Sequence, residues 1–384
     1  MGEAQGGASF PKRGGFGGSA QLGRKGLQSC SRAEAGLKRG VLRDPRLWIG
    51  LVLSSLFAYL AFRGIDPSAV ASALENADHR FLPLAFLLTY AVLWVRARRW
   101  RVIIKSLVEV ETRLLFRITM IGFLANYVLP ARMGELVRAV LLGTRKQVSI
   151  SAALGTVLVE RLLDLISILL IFFLVYLLDS IPGAGTELGS MLNRAATVFL
   201  LVALILMGIF WLLRNNIRLV IACVEGTLGR FWPRGSGNLT RALVSFAHGL
   251  RPAESLRDAA ELVFWTGCLW VLSASIVILL METFRLGLPW GAAWFILVAL
   301  GFGVSVPSAP GFVGTFHFTA MGALLLYGVE RADALSFAVV LHATCLLPVF
   351  LVGIPLLGME GMSLGHIARL QNEKSFGPGE TDSK

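Results

Sequence analysis

Asn126–Asp164 reads NYVLPARMGELVRAVLLGTRKQVSISAALGTVLVERLLD. It sets Asn126, Pro130, Arg132, Glu135, Arg138, Glu160, Arg161 and Asp164 beside long apolar runs. A charge at membrane depth is costly, so it faces a bundle interior or a wet cavity and marks a functional site by default. Whether membrane depth is the right setting depends on the residues around this stretch.

Of the 384 residues, 55% are hydrophobic and 16% charged, with mean hydropathy +0.70. Globular chains are about a quarter charged, so the composition is that of an integral membrane protein. The formal net charge of +12 does not call for a nucleic-acid partner, because Lys and Arg accumulate in cytoplasmic loops and near anionic headgroups. Cys30, Cys223, Cys268 and Cys345 are widely spaced without a CxxC pair, and Cys268 and Cys345 read as small packing residues. No HExxH, GxxxxGK[ST] or GxSxG motif occurs, so no metal, cofactor or soluble-type active site is expected.

Residues 1–46 hold eleven glycines and nine Lys/Arg against three acids, the composition of a disordered basic tail. Apolar segments follow at about 47–62, 81–95, 114–129, 162–178, 196–213, 262–281, 290–306 and 335–358. The 96–117 connection, opening on RARRWR, carries seven basic and two acidic residues, and the 214–261 loop seven against four. The 63–80 loop has two basic and three acidic residues, and 179–195 only Arg194 against Asp179 and Glu187. Placing basic loops in the cytoplasm puts both termini inside, with 63–80, 179–195 and 282–289 outside. Within 214–261, residues 239–250 have helical apolar spacing suited to the inner leaflet, or else form part of a solvated loop.

A full crossing by 114–129 would strand Arg138, Arg145 and Lys146 outside. The conflict disappears if 114–129 turns at Leu129-Pro130-Ala131-Arg132 and returns through 135–144 as a re-entrant hairpin, permitted where its broken backbone is buried or lines water. The same parity argument makes 290–306 re-entrant, breaking at VPSAPGFVGT before the apolar 318–328. The expectation is an all-α polytopic membrane protein with about six full spans and two re-entrant hairpins. Its transmembrane domain covers 47–358, in halves of about 47–178 and 196–358, before a flexible 359–384 tail. The halves read as an inverted repeat. Pro130 and Gly134 match Pro310 and Gly314 at an offset of 180, and a shift of 181 sets Arg161 opposite His342. Paired interrupted segments of this kind point to a site near the midplane.

Pro130 removes a backbone donor and Gly134 permits a tight turn, leaving amides free for an anion at the start of the returning half-helix. Arg132 can offer a phosphate a two-pronged guanidinium. Glu135 and Arg138 share a helix face and can pair. These residues with Asn126 form either a headgroup-phosphate site or an ion network that holds the hairpin. Glu160 and Asp164, at i and i+4, either carry cation or proton chemistry or compensate Arg132, Arg138 and Arg161. The second hairpin offers only Ser305, Ser308, Thr315 and His317 as polar groups. His317 and His342 are either titrating groups or hydrogen-bonded structural ones.

The pattern resembles the flippase-like family built on the lysylphosphatidylglycerol synthase transmembrane region. The similarity runs over about residues 45–360 and rests on three ordered blocks. The first is N-x2-LP-x-R-x-GE-x2-R at Asn126, Leu129, Pro130, Arg132, Gly134, Glu135 and Arg138. The second is A-L-x-T-V-x3-ER-x2-D at Ala153, Leu154, Thr156, Val157, Glu160, Arg161 and Asp164. The third is P-S-x-PG-x2-G at Pro307, Ser308, Pro310, Gly311 and Gly314. The resemblance implies an inner-membrane protein that moves an anionic or polyprenyl-linked lipid between leaflets. The alternative, ranked second, is a non-transporting partner of a lipid-modifying enzyme or glycosyltransferase. Lipid aminoacylation is not expected, since the fused catalytic domain would follow the membrane part. A membrane-embedded transferase with Glu160 or Asp164 as base is the weakest alternative. The family carries a Glu shortly after the third block, where this chain has His317, which departs from any shared ion or proton role there.

Overall fold

A computed structural model describes residues 45–129, 133–178, 255–305 and 308–359, with scattered positions between 194 and 244. The described residues form helices joined by short turns. In chain order these are α1 (Pro45–Phe62), α2 (Pro67–Glu75), α3 (Leu82–Ile104), α4 (Thr112–Val128), α5 (Gly134–Lys146) and α6 (Ile150–Leu177). Then come α7 (Leu256–Thr283), α8 (Trp290–Gly303), α9 (Thr315–Leu325) and α10 (Arg331–Met359). The 1–46 tail up to residue 44, most of 179–254, and 360–384 lie outside the described residues, so the expectations placed on those segments are not examined by the structure.

Helix ends follow local chemistry. Asp66 accepts from the Ser68 N–H at 2.9 Å and Pro67 opens α2. Ser149 and Ser255 cap α6 and α7 through N–H bonds from Ala152 and Asp258, each 3.1 Å, satisfying amides that a helix start leaves free. Gln147 ends α5 at φ 54°. Pro348, inside α10, cannot donate to the Thr344 carbonyl, and the Thr89 hydroxyl of α3 reaches that carbonyl at 3.3 Å.

By length and composition, three helical stretches among the described residues can cross a membrane: His79–Ile104, Leu256–Thr283 and Arg331–Met359. Val52–Phe62 and Trp290–Gly303 are shorter apolar stretches. α6 is 28 residues long but carries Glu160, Arg161 and Asp164 near its middle, whereas the sequence reading started this span at 162 and put the charges at its end. The interior is mostly apolar yet encloses charge, and large apolar side chains also face outward. Arg99 is fully buried, while Leu351 and Val263 are 68% and 74% exposed. Exposed apolar side chains around buried charge fit a lipid surrounding.

One expectation needs correction here. RARRWR is not a cytoplasmic loop, because α3 continues through it to Ile104. Residues 99, 100 and 103 lie on one helix face, and Arg99, Trp100 and Ile103 are buried there.

Both expected breaks are present: α4 and α5 pack as a hairpin, as do α8 and α9. α5 and α9 begin 181 positions apart, as do α6 and α10. The contacts repeat with the same correspondence. α3 packs on its counterpart α7; α4 meets α10 as α8 meets α6; α3 touches α10 as α7 touches α6. Contacts within the first half (α3–α4, α4–α5, α5–α6, α3–α6) recur in the second as α7–α8, α8–α9, α9–α10 and α7–α10. The two broken hairpins meet at their tips, where Tyr127, ending α4, stands edge-on to Phe312 at 6.0 Å between ring centres.

Candidate functional site

α3, α5 and α6 converge on one buried charge cluster. Arg138 of α5 grips Glu160 of α6 in two-pronged fashion, Nη2 to Oε2 at 2.6 Å and Nη1 to Oε1 at 3.2 Å. Its guanidinium also lies 4.1 Å over the Trp100 ring, and Trp100 donates its indole N–H to the Thr156 hydroxyl at 3.0 Å. Arg99 donates to Asp164 Oδ1 at 2.7 Å and Arg96 to Oδ2 at 3.3 Å. Arg161 reaches Glu160 at 3.3 Å and Asp164 at 3.6 Å.

Four guanidinium groups thus share two carboxylates. Buried ions need partners, and removing a partner costs about 3–5 kcal/mol. The pairing is incomplete on the cationic side. Arg99 Nε and Nη1, Arg138 Nε and Arg161 Nε are buried without hydrogen-bond partners.

Beside the cluster lies a cavity of about 680 Å³. Arg96, Asn126, Glu135, Arg161, Asp164 and His342 contribute its charged and polar wall. Much of the rest is apolar, from residues such as Leu165, Ile168, Val277 and Leu300. Tyr127, Phe312 and Phe316 bring the tips of both hairpins to it. Even with Glu135 counted, the described cluster and wall hold four arginines against three carboxylates.

The residues singled out by sequence fall into distinct places. Asn126 lines the cavity and also clamps the first hairpin, its Oδ1 accepting from the Gly134 N–H at 2.7 Å. Glu135 lines the cavity, but Arg138 pairs with Glu160 and not, as its spacing suggested, with Glu135. Arg138 is buried in the cluster and is not among the cavity-lining residues. Glu160 and Asp164 pair with Arg138 and Arg161 and also with Arg96 and Arg99. Arg161 and His342, matched by the repeat offset, line the same cavity. Pro130, Arg132 and Pro307 lie outside the described residues.

In the second hairpin, Gly311 and Gly314 take φ of 77° and 91°, where an L side chain is strained. At Gly314 a side chain would run into the Ser54 carbonyl of α1. The Ser54 hydroxyl accepts from the Ala309 N–H at 2.6 Å, so α1 holds this turn, with Ser308 and Pro310 on either side of Ala309. His317 Nδ1 accepts from the Gly314 N–H at 3.4 Å. Sequence reasoning missed Arg96, Arg99 and Trp100; the signal available was their i, i+3, i+4 spacing. Among the described residues no cluster of His, Cys, Asp and Glu has the makings of a metal site.

A family model described as the lysylphosphatidylglycerol synthase TM region matches residues 47–353. The chain is 32% identical over 130 residues to glycosyltransferase AglD of Haloferax volcanii, covering 33% of this chain and 21% of that protein. It is 30% identical over 140 residues to a UPF0104 membrane protein of Methanocaldococcus jannaschii, covering 35% and 40%. It is 31% identical over 103 residues to a UPF0104 membrane protein of Methanothermobacter thermautotrophicus, covering 26% and 30%. The matched part therefore spans between about a fifth and two fifths of these relatives' lengths.

Proposed function

The chain belongs to the lysylphosphatidylglycerol synthase TM region family, and from that premise we propose that this membrane protein moves an anionic or polyprenyl-linked lipid between leaflets. The observation that carries this reading is the excess of buried arginine beside a cavity with largely apolar walls. Net positive charge held away from water attracts an anionic group, while apolar walls suit the start of an acyl or isoprenoid chain.

In this reading Arg96 and Arg161, which line the cavity, contact the headgroup. Arg99, Arg138, Glu160 and Asp164 hold the geometry. The two hairpins are re-entrant, the halves are an inverted repeat, and both termini face the cytoplasm. Broken helices meeting at a midplane cavity between two such halves are the arrangement that supports alternating access.

The test is leaflet exchange of fluorescent phosphatidylglycerol in proteoliposomes. Wild type accelerates exchange over protein-free vesicles and over a phosphatidylcholine probe; equal rates for both probes sink the anionic assignment. A second reading draws on the glycosyltransferase relative: the same fold docks a lipid-modifying enzyme without transporting. Its basic 214–261 loop is then the contact, and deleting part of that loop abolishes function in cells while leaving exchange by the purified protein intact.

A further inference from the structure

His317 of α9 and His342 of α10 meet edge-on with ring centres 4.9 Å apart. Both are buried, and His342 also stacks on Phe316 at 4.7 Å. Their situations differ. His317 is engaged through Nδ1 with the Gly314 N–H, and Phe62 of α1 stands edge-on to it at 6.2 Å. His342 lies against the Gly311 backbone, and its Nε2 is buried without a hydrogen-bond partner. An orphaned buried nitrogen of this kind needs an explanation. A neutral imidazole can leave one nitrogen as a bare acceptor, and an imidazolium has two donors.

Position also separates the two. His342 lines the cavity, at the place that corresponds to Arg161 in the other half. One half therefore supplies a permanent cation, and the other supplies an imidazole, which can be neutral or charged. The ionisable groups that line the same cavity are Arg96 of α3, Tyr127 of α4, Glu135 of α5, Arg161 and Asp164 of α6, and Cys345 on α10 itself. His317 of α9 faces the ring directly. Among the described lining residues α7 and α8 bring only uncharged groups such as Trp270, Ser273 and Ser305.

We infer that His342 is a proton site linked to anion occupancy, so that the cavity takes up one proton with each anionic headgroup and releases it when that headgroup leaves. The inference rests on the anionic-lipid reading above. In the empty cavity the buried surroundings oppose a positive charge on the ring, and an anion in the cavity offsets that opposition. Reciprocity then requires the proton to strengthen anion binding by the factor with which the anion strengthens proton binding. The edge-on His317 limits the pair to one proton, since two charged rings at that separation repel. The proton comes from water and returns to it, and no bond other than N–H forms or breaks.

The experiment uses the full chain in phosphatidylcholine vesicles carrying fluorescent phosphatidylglycerol, with exchange followed between about pH 8 and about pH 5, either side of ordinary histidine titration. Wild-type exchange at sub-saturating probe rises as pH falls, approaching about tenfold per pH unit where one linked proton dominates. His342→Gln has a profile flat with pH, and His342→Arg, which carries a permanent charge, is flat as well. His317→Gln keeps the slope. A flat wild-type profile, or a slope that survives in His342→Gln, overturns the inference while leaving the anionic-lipid reading in place. No exchange at any pH overturns both. Should the His342 variants fail to give a monodisperse protein, calorimetry on wild type decides. Dihexanoyl phosphatidylglycerol, whose phosphate does not titrate near neutrality, is bound in two buffers of different ionisation enthalpy. Uptake of one proton supports the linkage and zero uptake removes it.

Discussion

Arg138 and Glu160 bind each other through both prongs of the guanidinium, at 2.6 and 3.2 Å, with the Trp100 ring closing the other face of the arginine. Glu160 is fully buried, so neither ion can recover water if the other is lost. Glu160→Gln is expected to cost about 3–5 kcal/mol, read as a fall in the unfolding midpoint of the detergent-solubilised protein. The double variant Arg138→Met with Glu160→Leu should lose less than Glu160→Gln alone, since the arginine that Glu160 grips most closely is removed with it and one fewer charge is left short of a partner. A double variant less stable than that single one would contradict this account.

Arg96 and Arg161 line the cavity, whereas Arg99 is fully enclosed with its best hydrogen bond to Asp164 at 2.7 Å. Gln at 96 or 161 should slow phosphatidylglycerol exchange at least about tenfold, or about 1.4 kcal/mol, with a smaller effect on stability. Gln at 99 should show the opposite balance, a large loss of thermal stability and poor expression. If all three variants behave alike in both measurements, wall and support are not separate.

Gly134 leaves no room for a side chain, because a Cβ there would overlap the Gly122 carbonyl and the Asn126 side chain. Gly134→Ala therefore forces the first hairpin open, at a cost of about 1–3 kcal/mol or more. Gly267, inside α7, has open space around it, so Gly267→Ala should gain up to about 1 kcal/mol through helix propensity. Thermal unfolding of the pair checks both signs.

The Ser54 hydroxyl holds the Ala309 amide at 2.6 Å. Ser54→Ala removes that acceptor and leaves a part-buried N–H short of a partner, a penalty of about 1–3 kcal/mol. The expected signature is faster amide exchange at residues 309–314 with the first hairpin unaffected. Unchanged exchange there would mean that α1 does not secure the turn.

Membrane topology has a direct check in a background where the four native cysteines are replaced. An impermeant maleimide added from outside should leave Lys146→Cys unlabelled and label Glu282→Cys. The reverse pattern would remove both the orientation and the re-entrant hairpins.

Much of the helix layout was readable because Pro, Gly and hydropathy act locally. The breaks near Leu129 and Pro310 came from loop charge read together with the Pro and Gly residues there, and the 181-residue correspondence, seen in sequence as Arg161 opposite His342, recurs in the starts of α5, α6, α9 and α10. The site was only half legible. Counting Arg96 and Arg99 as loop charge ignored that Arg side chains on a continuing helix can turn inward when carboxylates wait on another helix. Asp164 is 65 positions away from Arg99, a pairing that no local rule can register. The start of α6 was missed because Glu160, Arg161 and Asp164 interrupt the apolar run, although Ser149 is a good cap and the small residues suit close packing. The Glu135–Arg138 pairing failed for a related reason: spacing on one helix says which groups could meet, while a buried carboxylate on the neighbouring helix decides which do.

The contact between α3 and its counterpart α7 carries one more consequence. A surface that meets its own equivalent is self-complementary, which is the defining property of an isologous dimer interface. Under the inverted-repeat reading proposed above, each half presents the kind of face by which two identical half-length proteins would close on each other.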